Sequence, residues 1–143
     1  TSGGVRMTTD NGEVVVATNI TLDTRNSVNV YANRFTSDVE LNVTSDRNAK
    51  DDIRYDVAEK YISLFDRLAP VSFLYKGKEA KRHLGFIAQD VENILNEIGM
   101  PLDDFAALSV DEEGRYGLSY GEFVAVLTAK IQQLEQRLKA LEG

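Results

Sequence analysis

Ser45 and Lys50 stand five positions apart in the run Ser45-Asp46-Arg47-Asn48-Ala49-Lys50, and their types suit a nucleophile and its base. A serine hydroxyl attacks a carbonyl only when something accepts its proton. The chain has no cysteine and one histidine, His83, so thiolate chemistry is excluded and catalysis must rest on Ser, Thr, Lys, Tyr, Asp or Glu with that one imidazole. Without a His-Asp pair, the remaining candidate base is a lysine made neutral by desolvation. On one straight helix, residues five apart point about 140° away from each other. Direct contact therefore needs a turn, and Asp46 and Asn48 are turn-forming residues. Taken alone the pairing is weak, because a capping serine followed by a solvated lysine is the commoner use of these residues.

The elements that must position this pair belong to a chain of 143 residues, 43% hydrophobic, enough for one modest core or two small ones helped by oligomerisation. It opens Thr1-Ser2-Gly3-Gly4 without an initiator methionine, so a piece of a longer protein is expected. A net charge of −7, spread along the chain, is opposite to the footprint of a nucleic-acid or anionic-membrane binder. No apolar run reaches the length of a spanning helix. No cofactor is expected, and no metal site. Asp103, Asp104, Asp111, Glu112 and Glu113 lack the spacing of a calcium loop and suit solvated turns.

Residues 5–44 hold short β-branched stretches, Glu13 to Thr18, Ser27 to Tyr31 and Asp38 to Val43, separated by turn residues such as Asp10-Asn11-Gly12. Three such strands resemble the end of a β-structured shaft if copies lie side by side. After Lys50 the pattern changes. Val57, Tyr61, Leu64, Phe65 and Leu68 have helical spacing, stopped by Pro70. Val71 to Tyr75 and His83 to Ala88 predict a hairpin around Gly77. A helix is expected from about Asp90 to Ile98, closed by Gly99. Leu108 to Val110 and Tyr116 to Leu118 predict a second hairpin around Asp111 to Gly114.

The last helix has the sharpest period. Val124, Leu127, Ile131, Leu134, Leu138 and Leu141 alternate spacings of three and four and fit the a and d positions of consecutive heptads, with Tyr120 as the preceding d. Lys130 and Arg137 then fall at g, where each meets Glu135 or Glu142 at e of a parallel neighbour. The other reading is an amphipathic helix packed on its own domain. Gln132, Gln133, Gln136 and Lys139 leave only a narrow stripe, which favours the parallel coiled coil. Ile131 at a suits dimers, whereas Leu138 at a does not enforce them.

Four motifs in order, Ser45 to Lys50, Leu68-Ala69-Pro70-Val71-Ser72-Phe73, Leu84-Gly85-Phe86-Ile87-Ala88-Gln89-Asp90-Val91, and Leu118-Ser119-Tyr120 before the terminal helix, resemble the endosialidase-type C-terminal intramolecular chaperone. Such domains end phage tailspikes, tail fibres and neck appendages, and a relative occurs in myelin regulatory factor. The resemblance covers about residues 44–143. It implies an α+β fold in three parts: 1–44 as the end of a β-structured fibre shaft, 45–119 as the chaperone domain, and 120–143 as a helix in a parallel trimeric coiled coil.

The function it implies is a homotrimer that folds the upstream shaft of its own polypeptide and then cuts itself free. Ser45 is then the nucleophile, Lys50 the base, and Thr44–Ser45 the scissile bond. Asn48, within the motif, is a possible supporting residue. Gln89 has two readings, a structural hydrogen bond or polarisation of the Thr44 carbonyl. His83 is a strand residue with a satisfied ring, or a proton-transfer group. The expected setting is a virion-associated precursor assembled in the host cytoplasm, with the chaperone part released after cleavage. Two alternatives remain: a trimerisation foldon that never cuts, and a receptor-binding fibre tip using the Lys76 to Arg82 loop or the acidic loops.

Overall fold

The computed structural model describes residues 43–78 and 80–143, so the strands expected before Thr44 lie outside the described residues. The chain divides after Ser45, and the architecture below is that of the unit Asp46–Gly143. In order it comprises α1 (Val57–Phe65), β1 (Val71–Phe73), β2 (His83–Gly85), α2 (Ala88–Glu97), β3 (Leu108–Val110), β4 (Tyr116–Leu118) and α3 (Tyr120–Glu142). The strands form two separate antiparallel pairs, β1 with β2 and β3 with β4. The expected α+β class and long C-terminal helix are present.

Each helix end has a local cause. α1 stops at Phe65, short of the expected Leu68, because Arg67 and Leu68 donate to Leu64 and Phe65 in a tightened last turn. Pro70 lies just beyond and disfavours helical backbone at Ala69. α2 begins at Ala88, two residues before the expected start, and shortens the preceding strand to His83–Gly85. Ile87 is its extended N-cap, which leaves Asp90 in the first turn where the helix dipole favours a carboxylate. At the other end Gly99 has φ +69°, Met100 donates to Leu95 and Gly99 to Asn96. This is a Schellman cap, and it turns Met100 back into the core.

That core comprises Leu64, Val91, Leu95, Met100, Phe105, Ala107 and Phe123. Rings link its parts: Tyr61 meets Phe105 at 6.0 Å, Phe105 meets Phe123 edge-on at 5.5 Å, and Phe86 stacks on Phe123 at 5.3 Å. α1 and α3 make the most extensive contact between elements.

α3 has two apolar faces. Phe123, Val126 and Ala129 are buried against the helix's own domain, while Val124, Leu127, Ile131, Leu134, Leu138 and Leu141 stand exposed, Ile131 by 64% and Leu141 by 84%. The domain therefore occupies the c, f and g side of the helix and leaves the a and d edge outward. One expectation changes as a result. Lys130, placed at g for a neighbour's Glu135, pairs instead with Asp66 at the end of α1, at 2.6 Å and with its side chain only 14% exposed. Glu135 meets Lys139 one turn on, at 3.6 Å.

The β3–β4 turn is organised by Asp111. Its carboxylate accepts from the backbone N–H of Glu113 and of Arg115 and from the Arg115 guanidinium. The Arg115 backbone N–H first, and its guanidinium second, hold the Asp111 carboxyl below its ordinary value of 3.8. A lowered folded-state value means a stabilising contribution that is present above pH 3.8 and fades as the pH falls through the folded value. An NMR titration of Asp111 is expected to give a midpoint below 3.8, moving upward in Arg115→Met. In the core, Leu64→Ala or Leu95→Ala is expected to cost about 2–5 kcal/mol in urea unfolding, against under about 0.5 kcal/mol for an exposed change such as Gln136→Ala.

Candidate functional site

The turn that contact between Ser45 and Lys50 would require is present. Arg47–Ala49 forms one 3-10 turn, in which Ala49 donates to the Asp46 carbonyl and Lys50 to that of Arg47. The Asp46 side chain caps it by accepting from the Asn48 backbone N–H at 2.8 Å. Asn48 is thus part of the turn's own hydrogen bonding. Arg47 donates to the Tyr55 hydroxyl at 3.0 Å, tying the turn to the stretch that enters α1. Beyond it Asp52 takes φ +48°, a conformation aspartate tolerates better than most residues. The Arg54 guanidinium grips both carboxylate oxygens of Asp52 at 3.0 and 2.6 Å and holds that carboxyl below the usual range. Thr44, Ser45 and Lys50 are all exposed.

Gln89 lines an aromatic groove of about 440 Å³, and His83 packs against two of the groove's rings. Gln89 lies in the first turn of α2, not in the connection before it, because α2 starts early. It lines the groove together with Phe73, Tyr75, Phe86, Tyr116 and Tyr120. His83, at the start of β2, stacks on Phe73 at 5.8 Å and meets Tyr75 edge-on at 5.0 Å. Thr44, Ser45, Asn48 and Lys50 take no part in that lining.

Tyr120, expected as the preceding d residue of the heptads, makes a contact that the spacing did not indicate. The Tyr120 hydroxyl accepts from the Phe86 backbone N–H at 3.0 Å, and its ring lies over Phe86 at 6.2 Å. Gly85 makes this possible, since a Cβ there would overlap the Tyr120 hydroxyl. The first residue of α3 is thereby locked to the end of β2. Tyr116 donates to Glu92 of α2 at 3.0 Å, and that carboxylate pushes the phenol above its usual value.

Three of the five acidic residues expected in solvated turns have specific partners. Asp104 pairs with Lys60 at 2.8 Å, and its carbonyl accepts from the Tyr61 hydroxyl. Asp111 and Glu113 hold Arg115. Among the described residues no group of three His, Cys, Asp or Glu could hold a metal, and no helix is long and apolar enough to cross a membrane.

Residues 45–100 match a family model described as the chaperone of endosialidase. A solved structure described as a novel intramolecular chaperone superposes with a TM-score of 0.53 at 20% identity, covering 65% of this chain and 99% of that one. Comparison with curated proteins returns no match.

The contact between Gly85 and Tyr120 gives a double-mutant prediction. Gly85→Ala is expected to destabilise by about 1–3 kcal/mol through overpacking, and Tyr120→Phe by about 1 kcal/mol through the lost hydrogen bond. Combined, they are expected to cost less than their sum, because the hydroxyl is the closest atom to the added methyl. Strict additivity in thermal or urea unfolding would show that the two residues do not share this contact.

Proposed function

We propose that this chain is an endosialidase-type intramolecular chaperone, the family whose model residues 45–100 match, and that it trimerises through α3, guides the folding of a β-structured fibre upstream, and then severs itself before Ser45. The observation that carries this reading is where the family match begins, on Ser45 itself, beside the division of the chain into two units. The fibre it serves belongs to a virus, and the domain acts on its own polypeptide.

In the proposed reaction the Ser45 Oγ attacks the Thr44 carbonyl carbon, and Lys50 takes the hydroxyl proton. The C–N bond breaks as Lys50 passes that proton to the Ser45 nitrogen, which leaves as an amine, and Thr44 is left esterified to the Ser45 Oγ. Water hydrolyses that ester to give a Thr44 carboxylate and a free Ser45 hydroxyl. A hydroxyl adjacent to its own scissile carbonyl has little orientation entropy to lose, so a single turnover needs little machinery.

Lys50 is exposed in the single subunit. A lysine serves as a base near neutral pH only when desolvation disfavours its charge. The burial that prepares Lys50 therefore comes with assembly, and cleavage follows trimer formation. The exposed a and d edge of α3 supports assembly through that face.

Mass determination of freshly folded protein, native and denatured, tests both halves together. The expected result is three copies and a fragment that starts at Ser45, absent in Ser45→Ala and in Lys50→Met. Leu134→Glu is expected to abolish both the trimer and the cleavage while Ser45 and Lys50 stay in place. Intact trimers whose chains never cut would leave a trimerisation foldon, and cleavage at full rate in monomeric Leu134→Glu would break the link between assembly and chemistry.

A further inference from the structure

The a and d edge of α3 does not end at the helix. Tyr120, its first d residue, also lines the aromatic groove, and the surface continues from Val124 through Tyr120 to Tyr75, Ile87 and Tyr116. These groove residues are substantially exposed: Tyr75 by 56%, Tyr116 and Ile87 by 38% each. Side chains of this kind are normally covered when they form a continuous patch.

Two arguments identify what covers them. The first is area. A stable interface usually engages roughly 20–30 residues a side, whereas α3 offers six exposed leucine, isoleucine and valine positions over 23 residues. A helix edge of that length needs more surface to hold copies together. The second is geometry. In a parallel assembly the symmetry axis runs along the a and d edge, so every copy brings Tyr120, and the groove beside it, to the same height near the axis. An antiparallel pairing would instead set Tyr120 near the far end of the partner helix, about 30 Å away from the second groove.

We infer that the aromatic groove is a second contact between copies of this chain, docking a neighbouring subunit's head at the N-terminal end of the α3 bundle. This rests on the assembly proposed above and adds a head contact to the helix contact. The hairpin supplies an internal control. Phe73, His83 and Gly85 share the groove face of β1–β2, whereas Leu84, paired across from Ser72 and 83% exposed, points the opposite way.

The test is the concentration dependence of native mass for the full chain and three substitutions, each checked for a native circular dichroism spectrum. Tyr75→Glu and Ile87→Glu are each expected to weaken association about tenfold or more, while Leu84→Glu stays within about twofold of the parent. Leu134→Glu reports on the helix contact alone. If it dissociates the copies while Tyr75→Glu and Ile87→Glu behave like Leu84→Glu, the groove contact is refuted and the helix contact stands. If Leu134→Glu changes nothing, the α3 assembly itself is refuted.

Hydroxyl-radical footprinting of the unaltered chain covers the case in which a groove variant misfolds. Tyr75 and Tyr116 are expected to be protected at assembling concentrations and labelled on dilution, with Leu84 labelled equally in both. Equal labelling of Tyr75 and Tyr116 at the two concentrations overturns the proposal.

Discussion

One helix has to satisfy two masters, and the unit is built around that constraint. Through Phe123, Val126 and Ala129, α3 completes the core of its own subunit, so its orientation is set by packing against α1. The Lys130–Asp66 pair adds an ionic contact on the same side, with the lysine largely covered and the aspartate half exposed. Because that side of the helix is taken, the leucine edge has only one direction left to face. A helix joined to its domain by a flexible link could present the same leucines in any orientation. This one offers them in a single direction relative to its own domain.

The ring network carries that orientation to the rest of the unit. Tyr61, Phe105, Phe123, Phe86 and Tyr120 form a continuous series across the core, linking α1 to the β2 end and the start of α3. Large rigid side chains with few rotatable bonds transmit position well, since a densely packed interior has little slack. The close approach of Tyr120 to Gly85 then holds the small β1–β2 hairpin, which has only three residues a strand and too little surface to stand alone.

Much of this architecture was legible because local chemistry announced it. The β3–β4 pair sits at the expected residues, as Asp111 and Gly114 mark their turn in any context. Gly99 closed α2 for the same reason. Element ends moved where a neighbour decided them, as at Ile87, whose extended backbone starts α2 before the polar residues that suggested its start. The second face of α3 was present in the spacing of Phe123, Val126 and Ala129, but the heptad leucines dominated the pattern, and the glutamines between them made the helix look single-sided. The contact of Tyr120 with Phe86 joins residues 34 apart, and no local signal encodes it. Around the candidate chemistry, Asp46 and Asn48 predicted the turn, while the grip of Arg47 on Tyr55 depends on where the chain goes next.

The placement of the core has a mechanical consequence. Among the described residues every buried apolar side chain lies between Ile62 and Ala129, well downstream of the motif turn. The motif turn also holds its shape with its own hydrogen bonds, from Asp46 onward. A break in the backbone just ahead of that turn would therefore remove none of the described side chains that make up the packed interior, so the integrity of this core does not depend on the covalent link at Ser45.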